Sequence, residues 1–133
     1  MNNNHFCTSF PTSVRLRRPS EFRHAFSGRR ISRGGLLAVH TPKQSDPNQD
    51  SARLGIIVAK RFAPRAVTRN TIKRMIREHF RLKRTQLPPV DLVIRLHRAV
   101  PHGSLRQLKQ HLGKELHWHF RKIADDHAKE NHH

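Results

Sequence analysis

Residues 53–84 read RLGIIVAKRFAPRAVTRNTIKRMIREHFRLKR, and they set two elements of opposite chemistry side by side. The first part, Arg53 to Arg61, is apolar on both faces until it ends in Lys60 and Arg61, the pattern of a strand covered on both sides. The second, from about Ala66 to Arg84, has helical spacing. Arg65, Arg69, Lys73, Arg77 and Arg81 recur every fourth residue, which advances only ~40° per step and lays the charges in one slowly winding stripe. Arg74 lies on its flank. Ile72, Met75, Ile76 and Leu82 fall on the opposite side, with Phe80 at the border. Such a helix is tethered by its apolar side and presents cations outward. Like charges at this spacing destabilise an isolated helix by roughly 0.2–0.5 kcal/mol per pair, and Glu78 is the only acid within it to compensate. A merely solvated face would interleave the two signs; this one does not, so it reads as a phosphate-binding surface. Asn70 either contacts a nucleotide or braces the loop before the helix. Lys60 and Arg61, which end their strand just before this helix, either extend the same basic surface or merely solubilise the strand end, the first reading being preferred.

Outward from this stretch, Pro19-Ser20-Glu21 has the form of a helix start, with Ser20 as N-cap and Gly28 as stop. Phe22 and Phe26, four apart, share a face of that short helix. GLLAVHT at 35–41 is apolar between turn residues and predicts a strand; a further short strand near Ile31 is an option. A loop follows at 41–51. Asp91 to Arg98 predicts another strand, with Leu92, Ile94 and Leu96 on one face and Val93, Arg95 and His97 on the other. From Ser104 to about Ala124, Leu105, Leu108, Leu112, Leu116, Phe120 and Ile123 recur at helical spacing. The order, helix-strand-strand(-strand)-helix-strand-helix, predicts a small α+β two-layer sandwich. Residues 14–124 form the folded domain in this reading. Residues 1–13 are a disordered N-terminal tail, and 125–133 a polar C-terminal one.

The chain has 133 residues, with 27 Lys and Arg against nine Asp and Glu, a formal charge of +18. Self-repulsion on that scale calls for a polyanionic partner, and nucleic acid is the first candidate because phosphate neutralisation releases counterions. No run approaches the ~20 apolar residues of a membrane span, and the N-terminus lacks the form of a secretory signal. The single Cys7 allows no internal disulfide and suits a reducing cytoplasm. Membrane and small-molecule partners are not expected, and the protein is expected to be monomeric. The acids are scattered, so no catalytic or metal site is expected on the chain. His117 and His119 point ~200° apart on a helix and cannot share a zinc ion; both are expected on the outer surface. Helix-turn-helix DNA binding would need a short helix before the basic one, where a strand is predicted. A ribosomal or other structural RNA-binding protein would share the charge and size.

The run K-R-F-A-P-R-A-V-T-R-N-T-I-K-R-M-I-R resembles the signature of the bacterial ribonuclease P protein subunit, in which a strand ending in two basic residues leads into Ala-Val-x-Arg-Asn-x-x-Lys-Arg-x-x-Arg. The matching positions are Lys60, Arg61, Ala66, Val67, Arg69, Asn70, Lys73, Arg74 and Arg77. The resemblance extends to the F-x-x-x-F of the first helix and to D-L-V-I-R at 91–95. Thr71 stands where the family usually has a third basic residue, and no Tyr is present, where some relatives place one on the first strand; Val39 or His40 lies there. The resemblance implies an α/β sandwich with a left-handed βαβ crossover, of the kind found in a small-subunit ribosomal protein. It implies two partners, a large catalytic RNA and the 5′ leader of precursor tRNA, and Mg²⁺-dependent removal of that leader with the metals held by the RNA. Lys60, Arg61, Arg65, Arg69, Asn70, Lys73, Arg74, Arg77 and Arg81 would face the catalytic RNA. Phe22, Phe26, Val39 and Arg95 would line the cleft for the single-stranded leader. For the two phenylalanines, core packing remains the alternative.

Overall fold

Pro19 opens the first helix, α1 (Pro19–Phe26), at a position where a missing N–H costs nothing. The computed structural model describes residues 15–43 and 46–130, so the expected tail at 1–13 lies outside the described residues. Ser20 is not the cap but lies inside the first turn. Instead the Glu21 carboxylate reaches back and its Oε1 accepts the backbone N–H groups of Arg17 and Arg18, both at 3.0 Å. Gly28 is required for space: a Cβ there would lie 2.0 Å from the Thr41 carbonyl oxygen.

Four strands, β1 (Arg29–Arg33), β2 (Leu37–Thr41), β3 (Arg53–Ile57) and β4 (Asp91–Leu96), form one sheet in the order β1-β2-β4-β3. β1, the optional strand near Ile31, pairs antiparallel with β2, and the register slips between Arg30 and Ser32 to leave Ile31 as a bulge. β2 pairs antiparallel with β4, and β4 parallel with β3. A parallel pair needs a crossover, and α2 (Ala66–Lys83) supplies it. β3 is shorter than its apolar run. Its pairing ends at Ile57 opposite Arg95, and Lys60 and Arg61 lie in a turn beyond. β4 ends at Leu96, and the N–H of His97 carries its pairing one step further, to the Leu36 carbonyl at 2.9 Å. Along its outer edge β3 is bridged by Arg15, and the Leu16 N–H donates to the Leu54 carbonyl at 2.8 Å. β1 forms the other edge, with Arg29, Arg30 and Arg33 exposed.

The main core lies on one side of the sheet. Leu37 and Val39 of β2 and Leu92, Ile94 and Leu96 of β4 meet Ile72, Ile76 and Phe80 of α2 and Leu112, Leu116 and Phe120 of α3 (Leu105–Glu130). Phe80, read from sequence as a border residue, is fully buried, its ring 6.4 Å from that of Phe120. Leu82 is correspondingly 61% exposed: two residues on from a core position is ~200° around the helix. On the other side of the sheet, α1 packs Phe22 and Ala25 with Leu16, Val93 and Ile57. Gly55 makes that approach possible, since a Cβ there would lie 2.6 Å from the Phe22 ring. Ser104 and Gln107 cap α3 reciprocally, at 3.1 and 3.0 Å. The helix then runs on to Glu130, so residues 125–130 are helical and not a tail; no Gly or Pro interrupts them.

A buried carboxylate clamps α3 to the β1–β2 turn. Glu115 accepts the N–H of Leu36 at 3.0 and 3.2 Å and that of Leu37 at 2.7 Å, and lies 3.0 Å from Nε2 of His119. Nδ1 of His119 is 2.5 Å from the Ser32 hydroxyl. His119, expected on the outer surface, is therefore fully buried. Burial alone would raise the Glu115 pKa, but hydrogen bonds from His119, Leu37 and Leu36 outweigh it and hold the carboxyl below its ordinary value. Stability from such a group is present above its unfolded-state pKa and is lost as pH falls through the folded one. Urea melts should accordingly lose stability as pH drops below the ordinary carboxylate range. Glu115→Gln should show a shallower loss, after a cost at neutral pH of roughly 2 kcal/mol for hydrogen bonds to a charged group. A variant with wild-type stability at every pH would mean the clamp holds nothing.

Candidate nucleic-acid interface

α2 is held down by Ile72, Ile76 and Phe80, which turns its cations away from the core. Lys60, Arg61, Arg65, Asn70, Arg74 and Arg77 are exposed, and Lys73 is half-buried. The stripe is not uniform. Nη1 of Arg69 donates to the carbonyls of Ala63 and Pro64, at 3.0 and 2.8 Å. It is thus Arg69, not Asn70, that braces the loop before the helix. Arg81 pairs with Glu78 and is partly neutralised. The Thr71 hydroxyl donates to the Val67 carbonyl one turn back, at 2.8 Å.

Arg15 joins this group from outside the motif. The Arg77 pKa is pushed down, first by burial and then by the charges of Arg15 and Arg74, so these cations crowd one another in a way that a phosphate would relieve. Arg15 was not legible as a site residue because it precedes every periodic element and reaches the edge of β3 only through the fold.

Across the sheet the two phenylalanines part company. Phe22 is packed on Gly55 and belongs to the α1 core. Phe26 is 39% exposed; its ring lies 4.9 Å from that of His40 and 5.7 Å from the Arg95 guanidinium. Nε of Arg95 donates to Nε2 of His40 at 3.0 Å. The His40 pKa is lowered, by burial first and then by Arg95 and Arg30, which suits a neutral acceptor. Val39 does not line this face. It is fully buried in the main core, since side chains alternate along β2 and it is His40 that turns toward α1.

A family model described as Ribonuclease P matches residues 10–123. The chain belongs to the ribonuclease P protein family. The ribonuclease P protein component of Bordetella parapertussis is 48% identical over 118 residues, covering 87% of this chain and 96% of that protein. The one from Bordetella avium is 49% identical over 119 residues, covering 89% and 98%. Among solved structures, the RNase P protein of Staphylococcus aureus matches with a TM-score of 0.68 at 26% identity, covering 84% of this chain and 94% of that one. As a ribonuclease P protein component, the chain is a subunit of an RNA-processing ribonuclease with an RNA partner. Among the described residues, no group of three or more His, Cys, Asp or Glu is placed to hold a metal ion, and no helix is long and apolar enough to cross a membrane.

The bracing role of Arg69 separates it from its neighbours. Arg74→Ala should weaken RNA binding and reduce its salt slope by about one counterion, with thermal unfolding unchanged. Arg69→Ala should lower affinity and also cost roughly 1 kcal/mol of stability, because two carbonyls lose their donor. Filter binding across a salt series, run beside thermal melts, measures both; equal stability of the two variants would remove the bracing role.

Proposed function

We propose that this subunit binds the catalytic RNA of ribonuclease P through α2 and the turn before it, and the single-stranded 5′ leader of precursor tRNA across the α1 side of the sheet. The reaction assisted is Mg²⁺-dependent hydrolysis that releases the leader and leaves the mature tRNA 5′ end. The observation that carries the first contact is the run of exposed cations Lys60, Arg61, Arg65, Arg74 and Arg77 along α2 and the turn before it, on a helix whose one acid is already paired with Arg81. For the leader, the support is Phe26: a ring left partly uncovered between α1 and the sheet, with Arg95 over it and His40 beside it. An unpaired base stacks on such a ring while a cation takes the adjoining phosphate. Phe26, Arg95 and His40 form the leader face in this reading; Phe22 supports it from beneath.

The chemistry is assigned to the RNA, which would hold the Mg²⁺ and the reacting phosphate. Four of the chain's nine carboxylates are engaged elsewhere: Glu21 and Asp91 with Arg53, Glu78 with Arg81, and Glu115 in its clamp. In this reading the protein acts as a monomer in the cytoplasm, its role being to bind and position two RNA strands.

The test is cleavage of a precursor tRNA at low Mg²⁺ by a bacterial ribonuclease P RNA, with and without the protein. Release of the leader should require the RNA and be stimulated by the protein. Cleavage by the protein alone would overturn the assignment of chemistry, and no stimulation at all would overturn the subunit's role. Phe26→Ala should weaken binding of leader-bearing substrate about tenfold, the scale of one lost base stack, while leaving affinity for the catalytic RNA unchanged. Equal loss for both RNAs would sink the leader assignment.

A further inference from the structure

α3 has an outward face that neither of these contacts uses. Leu112, Leu116 and Phe120 turn inward, while Trp118, the chain's single tryptophan, is 47% exposed. Lys114, Arg121 and Lys122 are exposed within one turn of it. Nζ of Lys122 lies 5.4 Å from the indole centroid. The ring does not swing free. It packs edge-on against His119 at 5.0 Å, and His119 is itself fixed by Glu115 and Ser32. A shallow hollow runs from Trp118 past Arg121 and Lys122 to Lys129, with Asp125 and Asp126 as the acids along it. Asp126 and Lys129 also line a neighbouring hollow with Arg29, Arg30 and Lys43, at the open edge of β1.

An apolar protein partner would have to strip water from three cations around the ring, at a cost it could not return. A nucleotide meets the same group without that penalty, offering a base to the indole and phosphates to the cations. α2 and α3 cover the same side of the sheet, whereas Phe26 lies on the other. The face around Trp118 is therefore on the α2 side of the sheet and not on the side of Phe26.

We propose that the Trp118 face of α3 is a second contact with the catalytic RNA, an unpaired base stacking on the indole while Lys114, Arg121 and Lys122 hold the flanking phosphates. The inference rests on the reading that α2 binds that RNA.

Because the indole is unique, its emission reports on this face alone. The full chain is titrated with ribonuclease P RNA while binding is followed separately by filter retention. Emission should be quenched in step with binding. W118A should bind about tenfold more weakly, W118F should recover most of that loss, and R121A/K122A should reduce the salt slope by about two counterions. Saturated binding with unchanged emission overturns the proposal, as does wild-type affinity in W118A. Should W118A melt early, W118F and R121A/K122A decide: wild-type behaviour in the charge variant, at full stability, is equally fatal. If Arg74→Ala loses affinity and these variants do not, only the α3 contact falls; if none of them does, the α2 reading falls with it. Emission that changes with protein concentration in the absence of RNA would give the face to a second copy of the chain and overturn the RNA contact.

Discussion

Burial of Ile72, Ile76 and Phe80 against α3 and the sheet is the interaction on which the rest depends, because it holds a nearly acid-free cationic helix in a chain of charge +18. Each such side chain contributes roughly 1.5–3 kcal/mol on leaving water. The like-charge neighbours along the stripe oppose the helix by only roughly 0.2–0.5 kcal/mol per pair. Packing wins by a clear margin. The same contacts fix the rotation of α2, so the direction in which its arginines project follows from where Phe80 meets Phe120. Stability and recognition are thus two sides of one helix.

Three of the nine acids sit where elements join. Glu21 holds the start of α1 and, with Asp91, the Arg53 that begins β3. Glu115 joins α3 to the β1–β2 turn. Carboxylates used at such junctions do little to offset the charge of the surface. The two most buried acids, Asp91 and Glu115, thus serve as joints, while Asp46, Asp50, Glu78, Asp125 and Asp126 remain at the surface among a large excess of cations.

The basic helix, the strand before it and the long C-terminal helix were legible because charge and apolar residues recur there at helical or strand spacing. β1 was barely so: Arg29–Arg33 holds one large apolar residue, and it is a strand because β2 offers it a partner. Register was the other thing local pattern could not give. Whether Val39 or His40 faces α1 depends on how β2 lies between β1 and β4, and the sequence stretch reads equally well either way. Phe22 and Phe26 share a helix face yet differ in burial, since Gly55 makes room beneath one of them only. Glu115 and His119 did carry a signal: two polar residues four apart at the border of an apolar stripe, the spacing for a joint contact with a neighbouring element.

The two borders of the sheet are guarded by different means. At β1 the guard is charge, three arginines on a bulged strand. At β3 it is a piece of main chain, the bridge from Arg15 to Leu54. Charge travels with the strand that bears it, but a covering segment can be cut away. A shortened form beginning at α1 would bare the β3 hydrogen-bonding row and invite strands from other molecules to add there, with aggregation as the outcome. The smallest well-behaved form of this domain must therefore begin upstream of Arg15, ahead of the first helix.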